Sequence, residues 1–174
     1  MIEGTKVCLR PITGADTEHI IRWRNSEWVR RYFIDRKPLT REIHENWLKT
    51  RVETGRVAQF IIVEKESGQD VGTVYLRDID PDHHRAEFGI YIGEPGLRQH
   101  GLGTEATQLI CAYGFETLGL HRIYLRVLAD NTVAARCYEK AGFQPEGVLR
   151  QHMFDGARYH DVALMGCLNG GSDA

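Results

Sequence analysis

Two neighbouring stretches decide how this chain folds: Glu87-Phe88-Gly89-Ile90-Tyr91-Ile92-Gly93, and then, after a turn through Glu94-Pro95-Gly96, Arg98-Gln99-His100-Gly101-Leu102-Gly103-Thr104. The first has the short apolar run of a buried strand, and the second places two glycines at the start of a helical pattern that continues to Leu118. Such a helix start brings unpaired N–H groups and the positive end of the helix dipole to one spot, where glycine allows a ligand to approach closely. The pattern predicts a strand–turn–helix unit that cradles a phosphate group.

The composition indicates one globular domain without a nucleic-acid or membrane partner. The 174 residues carry a formal net charge of −2 with both signs interspersed, so there is no basic stripe for nucleic acid. No apolar run reaches the roughly 18 residues that span a bilayer, and the first residues lack the pattern of a signal peptide. We therefore expect a cytoplasmic protein with a single domain over residues 1–168 and a disordered tail over residues 169–174.

The cysteines and histidines form no metal-binding pattern. The four cysteines are far apart in the sequence and lie in apolar surroundings, which is typical of buried free thiols in a reducing compartment; they are Cys8, Cys111, Cys137 and Cys167. The eight histidines show no spacing typical of zinc ligands. We expect no metal site.

Apolar periodicity and turn signals give the order of the elements. After a first strand and two helical segments, the sequence predicts three strands, a helix over residues 101–118, a strand, a helix over residues 131–141 and a hairpin. The hairpin pairs residues 148–154 with residues 159–168 around Asp155-Gly156. This order predicts an α/β chain with an N-terminal β-α-α unit and a mixed sheet that carries helices on both faces.

Two motifs resemble those of a known family. Arg98-x-x-Gly101-x-Gly103 resembles the acyl-CoA signature of the GNAT N-acyltransferase superfamily. Downstream, Asn131-x-x-Ala134-x-x-x-Tyr138-x-Lys140-x-Gly142-Phe143 is similar to the second signature of that family, with one helix and one strand between the two. The resemblance covers residues 7–168 and is most specific over residues 86–143. It implies a mostly antiparallel central sheet and acetyl-CoA as the acetyl donor.

The resemblance also implies how the donor is held. In the family, backbone amides of the first signature wrap the pyrophosphate, and pantetheine pairs like an extra strand with the end of the fourth strand. An N–H group in that strand end is the expected donor to the oxyanion. The matching residues of this chain are Tyr91, Ile92, Gly93, Arg98, Gln99, His100, Gly101, Leu102, Gly103, Thr104, Asn131 and Lys140.

Two residues are the predicted catalytic groups. Tyr138 matches the family's general acid, and a phenol with a pKa of about 10 is a suitable proton donor to a leaving thiolate. The spacing of Glu87 before Gly101 resembles that of the glutamate base in the histone-acetylating branch. Glu87 is accordingly a candidate base, directly or through water, and the alternative is that it orients the acceptor or pairs with a cation such as Arg85.

The acceptor is a primary amine of a small molecule whose identity the sequence leaves open. The arginine- and tryptophan-rich N-terminal helices resemble those of amino-sugar-nucleotide N-acetyltransferases, which implies substrate-binding roles for Arg24, Asn25, Trp28, Arg30 and Trp47. Other stretches resemble ribosomal-protein N-terminal acetylases and spermidine acetylases. A polyamine enzyme should have an acidic acceptor pocket, so the arginine-rich N-terminal half favours the amino-sugar nucleotide.

Two further expectations concern activity and assembly. Some proteins with this fold bind acyl-CoA without catalysis, but the presence of both Tyr138 and Glu87 favours an enzyme. The final hairpin should be exposed, so a homodimer is expected.

Overall fold

A computed structural model describes residues 1–97 and 100–170. Within these residues the chain forms eight strands and five α-helices. The strands are β1 (Ile2–Glu3), β2 (Val7–Pro11), β3 (Ala58–Glu64), β4 (Asp70–Asp80), β5 (Arg85–Ile92), β6 (Arg122–Leu128), β7 (Gln144–Phe154) and β8 (Tyr159–Leu168). The helices are α1 (Thr17–Asn25), α2 (Glu27–Arg30), α3 (Arg41–Trp47), α4 (Leu102–Glu116) and α5 (Thr132–Lys140).

The strands form one mixed sheet in the order β1-β2-β3-β4-β5-β6-β8-β7. Every neighbouring pair is antiparallel except β5 and β6, which run parallel. The predicted fold class, a mixed and mostly antiparallel sheet after an N-terminal β-α-α unit, is therefore confirmed.

Helices cover both faces of the sheet, and β3 shows how. Phe60 and Ile62 point into the main core, which includes apolar residues of α4, whereas Ile61 packs with Ile20 and Trp23 of α1 on the other face. Successive side chains of a strand point to opposite faces, so a strand that is apolar at every position is buried on both.

The chain differs from the prediction at three places. The short strand β1 pairs with β2 and was not predicted, and β7 begins at Gln144 instead of Val148. Asn169, expected to begin a disordered tail, donates its backbone N–H to the His121 carbonyl at 2.8 Å, so the tail prediction is wrong at that residue. Residues 171–174 of the predicted tail lie outside the described residues.

Three other expectations concern the cysteines, a metal site and membrane-spanning helices. The four cysteines are free thiols, of which Cys8 and Cys111 are buried and Cys137 and Cys167 are half-buried. Over residues 1–97 and 100–170 no cluster of side chains is suited to a metal ion. In the same part of the chain no helix has the length and apolar character needed to cross a membrane.

Candidate functional site

The sheet opens between its two parallel strands. The ladder between β5 and β6 pairs residues 85–87 with residues 122–124 and extends no further in the described chain. Beyond it, β5 continues along β4 as far as Ile92, and β6 continues along β8 as far as Leu128. The strands therefore diverge, and both line a cleft of about 1080 Å³. That volume lies at the upper end of the range typical of ligand sites.

Aromatic side chains hold the open end of β5 in place. A Cβ atom on Gly93 would lie 2.1 Å from the ring of Trp23, so only glycine fits beside this buried indole. The Trp28 indole donates to the Gly93 carbonyl at 3.1 Å, and the Gly93 N–H donates to Val71 of β4 at 2.8 Å. Gly93 is thus wrong as a candidate oxyanion donor, because its N–H is already used inside the sheet.

The N-terminus of α4 faces the same cleft. Gly101 adopts φ +82°, a left-handed conformation that favours glycine, and places no capping side chain over the first turn. A Cβ on Gly103 would meet one atom within 4 Å, the Cys137 sulfur at 3.8 Å, so a ligand can approach this backbone closely. Uncapped N–H groups at the positive end of a 15-residue helix form an anion site.

The remaining residues of the first signature divide into four groups. Thr104 places its hydroxyl 3.2 Å from Cys137 of α5, and both line the cleft. The Leu102 side chain is in the core, so only its backbone can serve a ligand. His100 is exposed, and its backbone carbonyl accepts a hydrogen bond from the Lys6 ammonium at 3.1 Å. Arg98 and Gln99, also predicted to bind the donor, lie outside the described residues.

Helix α5 presents both predicted groups of the second signature to the cleft. The Asn131 side chain accepts the Ala134 N–H at 3.3 Å, which caps the helix while Asn131 also lines the cleft. Lys140 lines the cleft as well, together with Arg136, which sequence reasoning missed. These two cations and the first turn of α4 fit the negatively charged pyrophosphate of coenzyme A.

Tyr138 is one of the residues that line the cleft. Its ring meets Phe88 of β5 edge to face at a centroid distance of 5.6 Å and Phe143 at 6.1 Å. Burial raises the pKa of its hydroxyl well above the usual value, which keeps the phenol protonated at neutral pH. No residue of the described chain forms a hydrogen bond with this hydroxyl. Tyr138 therefore presents an unused proton donor.

Glu87 is held by two arginines. Its carboxylate lies 2.9 Å from Arg126 Nε and 3.0 Å from Arg77 Nη2, and its side chain is 8% exposed. Burial alone would raise the pKa of Glu87, but hydrogen bonds from Arg126 and Arg77 keep it below the usual value. Arg85, the partner considered from the sequence, pairs with Asp80 instead at 3.3 Å.

The acceptor end of the cleft contains three of the five predicted substrate-binding residues. Arg24, Trp28 and Trp47 line it. Asn25 does not, because its side chain bonds the backbone of Leu39 at 2.7 and 2.8 Å. Arg30 is not among the lining residues either, so the substrate-binding roles of Asn25 and Arg30 stay predictions.

Several lining residues were not found from the sequence. They are Tyr75 and Arg77 of β4 and Arg126 of β6. Arg77 is the cross-strand partner of Glu87, so the strand register would have revealed it. The sequence gives no comparable signal for the others.

Known proteins share this architecture. A family model described as an acetyltransferase (GNAT) domain matches residues 6–144. A spermidine N(1)-acetyltransferase of Escherichia coli is 32% identical over 165 residues, which cover 95% of this chain and 87% of that protein.

Solved structures of spermidine N-acetyltransferases have the same fold. The crystal structure of spermidine N-acetyltransferase from Vibrio cholerae in complex with CoA and spermine has a TM-score of 0.87 and 28% identity, covering 95% of this chain and 96% of that one. A dodecameric structure from the same organism has a TM-score of 0.79 and 28% identity over 95% of each chain. The family model spans most of the chain and the cleft contains the parts of an acetyl-CoA site, so the chain belongs to the GNAT acetyltransferase family and is an acetyl-CoA-dependent N-acetyltransferase.

Proposed function

We propose that the chain transfers the acetyl group directly to a primary amine of a small molecule, with Tyr138 as the general acid. The C–S bond of acetyl-CoA breaks, and Tyr138 protonates the departing thiolate, so coenzyme A leaves as a thiol. The amine attacks in its neutral form, and the proton that it loses on forming the amide returns through solvent to Tyr138. The observation that carries the proposal is the position of Tyr138, which lines the cleft beside Phe88 of β5 and whose protonated hydroxyl has no hydrogen-bond partner in the described chain. Burial keeps this phenol protonated until the thiolate forms beside it, and loss of solvent around the thiolate raises its basicity as well, so the phenol is the proton donor in this proposal.

The edge of β5 that faces the cleft supplies the oxyanion donor in this proposal. The Gly93 N–H points to β4, and backbone N–H groups alternate in direction along a strand. Groups one residue away from the β4-facing positions therefore point toward the opening. Fixed backbone dipoles of this kind stabilise a developing negative charge without rearrangement.

Glu87 acts by position in this proposal and does not remove a proton from the amine. A carboxylate whose pKa is lowered by two arginines is a weaker base than an ordinary glutamate. Its contacts fix Arg77 and Arg126, both of which line the acceptor end. The orienting role considered from the sequence is the one that the geometry supports.

The acceptor is the less defined half of the reaction. Several relatives are named for spermidine as their substrate, which does not support an amino-sugar nucleotide and makes a polyamine a second candidate acceptor. Aromatic side chains in the cleft fit an organic cation, because ring faces attract ammonium groups. They include Trp28, Tyr32, Phe33, Trp47, Tyr75 and Tyr91.

Assembly and location complete the proposal. Strand β7 lies at the edge of the sheet and most of its residues are exposed, which supports a homodimer through the final hairpin. Free cysteines fit a reducing compartment, so a cytoplasmic location remains part of the proposal.

A turnover screen tests this function. Release of the CoA thiol from acetyl-CoA is measured with polyamines, ω-amino acids, amino-sugar nucleotides and N-terminal peptides, and CoA binding is measured in parallel by thermal shift. We expect turnover with at least one class of primary amine. Thermal stabilisation by CoA without turnover of any amine would instead indicate a non-catalytic binding module.

A further inference from the structure

Two buried polar atoms have no hydrogen-bond partner within residues 1–97 and 100–170: Arg24 Nη1 and His44 Nε2. Both residues line the acceptor end of the cleft, one from α1 and the other from α3. Buried polar groups of folded proteins are almost always paired, so an unpaired group beside a cleft indicates that a ligand or water completes it. Two such groups at one end of one cleft point to a polar part of the acceptor.

The Arg24 guanidinium is fixed before any ligand binds. Its carbon lies 3.7 Å from the centroid of the Phe33 ring, and its other terminal nitrogen donates to the Asp35 carbonyl. A planar guanidinium held in this way keeps Nη1 in one direction. The preorganised donor matches an oxygen acceptor of a ligand.

The charge of Arg24 has no carboxylate partner in the described chain, in contrast to the arginines nearer to Glu87. Arg77 and Arg126 share the Glu87 carboxylate. The Asp35 carboxylate is engaged by the Lys37 N–H at 3.1 Å, and only the Asp35 carbonyl contacts Arg24. The Asp35 carboxylate favours the charge of Arg24 without forming an ion pair with it. A half-buried cation with no ion-pair partner repels a second cation and attracts an anion.

His44 adds a second polar contact at this end. It is 2% exposed, and its Nδ1 lies 3.1 Å from the Thr17 hydroxyl, which leaves Nε2 for a ligand. Burial lowers the pKa of this imidazole, so it is neutral at pH 7 and adds no repulsion toward a ligand of either sign.

Tyr75 connects this end of the cleft with the site of reaction. A Cβ atom on Gly89 of β5 would lie 2.4 Å from the Tyr75 ring, so this ring lies directly on the strand that carries the predicted oxyanion donor. Burial raises the pKa of Tyr75 and the charge of Arg24 lowers it, while Tyr75 in turn raises the pKa of Tyr138. Tyr138, Tyr75 and Arg24 thus line the same cleft.

We infer that the acceptor carries, in addition to its primary amine, a carboxylate that accepts a hydrogen bond from Arg24 Nη1. The inference rests on the proposed acetyl transfer and names its substrate class. A polyamine would place a second ammonium group beside Arg24, whereas an amino acid with its amine at the far end of the chain places an anion there.

Matched amines test the inference. Initial rates of thiol release are measured for ω-amino acids from β-alanine to 6-aminohexanoate, for the corresponding carboxamides and for spermidine. We expect kcat/KM of the best carboxylate to exceed that of its carboxamide by about 10- to 100-fold, the range for a hydrogen bond to a charged group. Arg24→Gln should remove this preference, so that kcat/KM of the carboxylate and that of its carboxamide become equal.

Arg22→Gln is the matched control, because Arg22 lies on the same helix with a 62% exposed side chain that pairs with Glu94. It should keep the preference for the carboxylate. If Arg24→Gln does not fold, inhibition of the wild-type enzyme by N-acetylated ω-amino acids and by their carboxamides gives the same comparison. Equal inhibition, or turnover of spermidine with no preference for any carboxylate, would overturn the inference and leave acetyl transfer intact. Turnover of no amine would contradict the proposed function itself.

Discussion

Replacing Glu87 by glutamine distinguishes a positioning role from a general base. The carboxylate of Glu87 has contacts of 2.9–3.3 Å to Arg77 and Arg126. Glutamine keeps the shape of the side chain but removes the charge that the two arginines share. We expect the variant to lose stability and turnover while the acidic limb of its pH profile stays where it is in the wild type.

The loss of stability can be worked from the contacts. Charge-assisted hydrogen bonds contribute about 1.5–3 kcal/mol each, and the loss is reduced because each arginine side chain is 33% exposed. We expect a loss of about 2 kcal/mol, or about 4–8 °C in Tm for a domain of this size. Because the pKa of Glu87 is lowered in the folded protein, this stabilisation is present above the unfolded-state value of 4.5 and disappears as the pH falls through the lower folded-state value.

The assay combines thermal unfolding at several pH values with kcat/KM profiles from about pH 4 to 9, a range that reaches the titration of Glu87. The difference in Tm between variant and wild type should be full at pH 7 and shrink below pH 4.5. Glu45→Gln is the control, since Glu45 is 56% exposed and pairs with Arg41 on the surface, where we expect no measurable change. An acidic limb that moves or vanishes in Glu87→Gln would refute the positioning role and restore the base.

Three other changes have defined outcomes. Tyr138→Phe should lower kcat by about 100-fold or more, the usual contribution of a general acid, with little change in Tm because the hydroxyl has no partner in the described chain; wild-type thiol release would contradict its role. Gly93→Ala should cost about 3 kcal/mol or more in urea unfolding, because its Cβ would lie 2.1 Å from the Trp23 ring. Gly147→Ala is the control, because a Cβ on Gly147 would have no atom within 4 Å, and it should leave stability unchanged. An equal loss of stability in the two variants would rule out the steric explanation. Glu105→Gln should speed hydrogen exchange of the three N-terminal amides that its carboxylate accepts at 2.7–2.9 Å. Burial opposes ionisation of Glu105, but these hydrogen bonds lower its pKa. The difference in exchange rate between variant and wild type should therefore be present at pH 7 and disappear in acid. Unchanged exchange at pH 7 would show that another contact holds the N-terminal loop.

The fold was predictable because its signals are local. Apolar runs bounded by turn residues mark the central strands, and Gly101, Asn131 and Gly142 mark helix ends. The start of β7 was missed because proline at position 145 argues against an ordinary strand. β7 lies at the edge of the sheet, where a missing N–H donor is tolerated, and this position depends on the strand order.

The donor half of the site was predictable for a related reason. It uses backbone groups of contiguous residues, so a short motif contains most of what is needed. The contacts of Glu87 involve Arg77 on β4 and Arg126 on β6, which are 10 and 39 residues away in the chain. Their proximity depends on strand register, which sequence patterns specify only through the faces of the sheet. The spacing of Glu87 before Gly101 made it a candidate base, but spacing could not reveal that Arg77 and Arg126 pair with its carboxylate.

The same distinction explains why the relatives define the donor better than the acceptor. Backbone amides bind a pyrophosphate whatever side chains surround them, so 32% identity is enough to preserve that half of the site. Acceptor specificity depends on individual side chains. Exchanging one charged side chain in the cleft can change whether a cationic or an anionic substrate is preferred. Arg24, held by Phe33 and without a carboxylate partner in the described chain, is such a charge. A comparison of one amine with and without a carboxylate therefore tests the acceptor more directly than similarity to a spermidine acetyltransferase does.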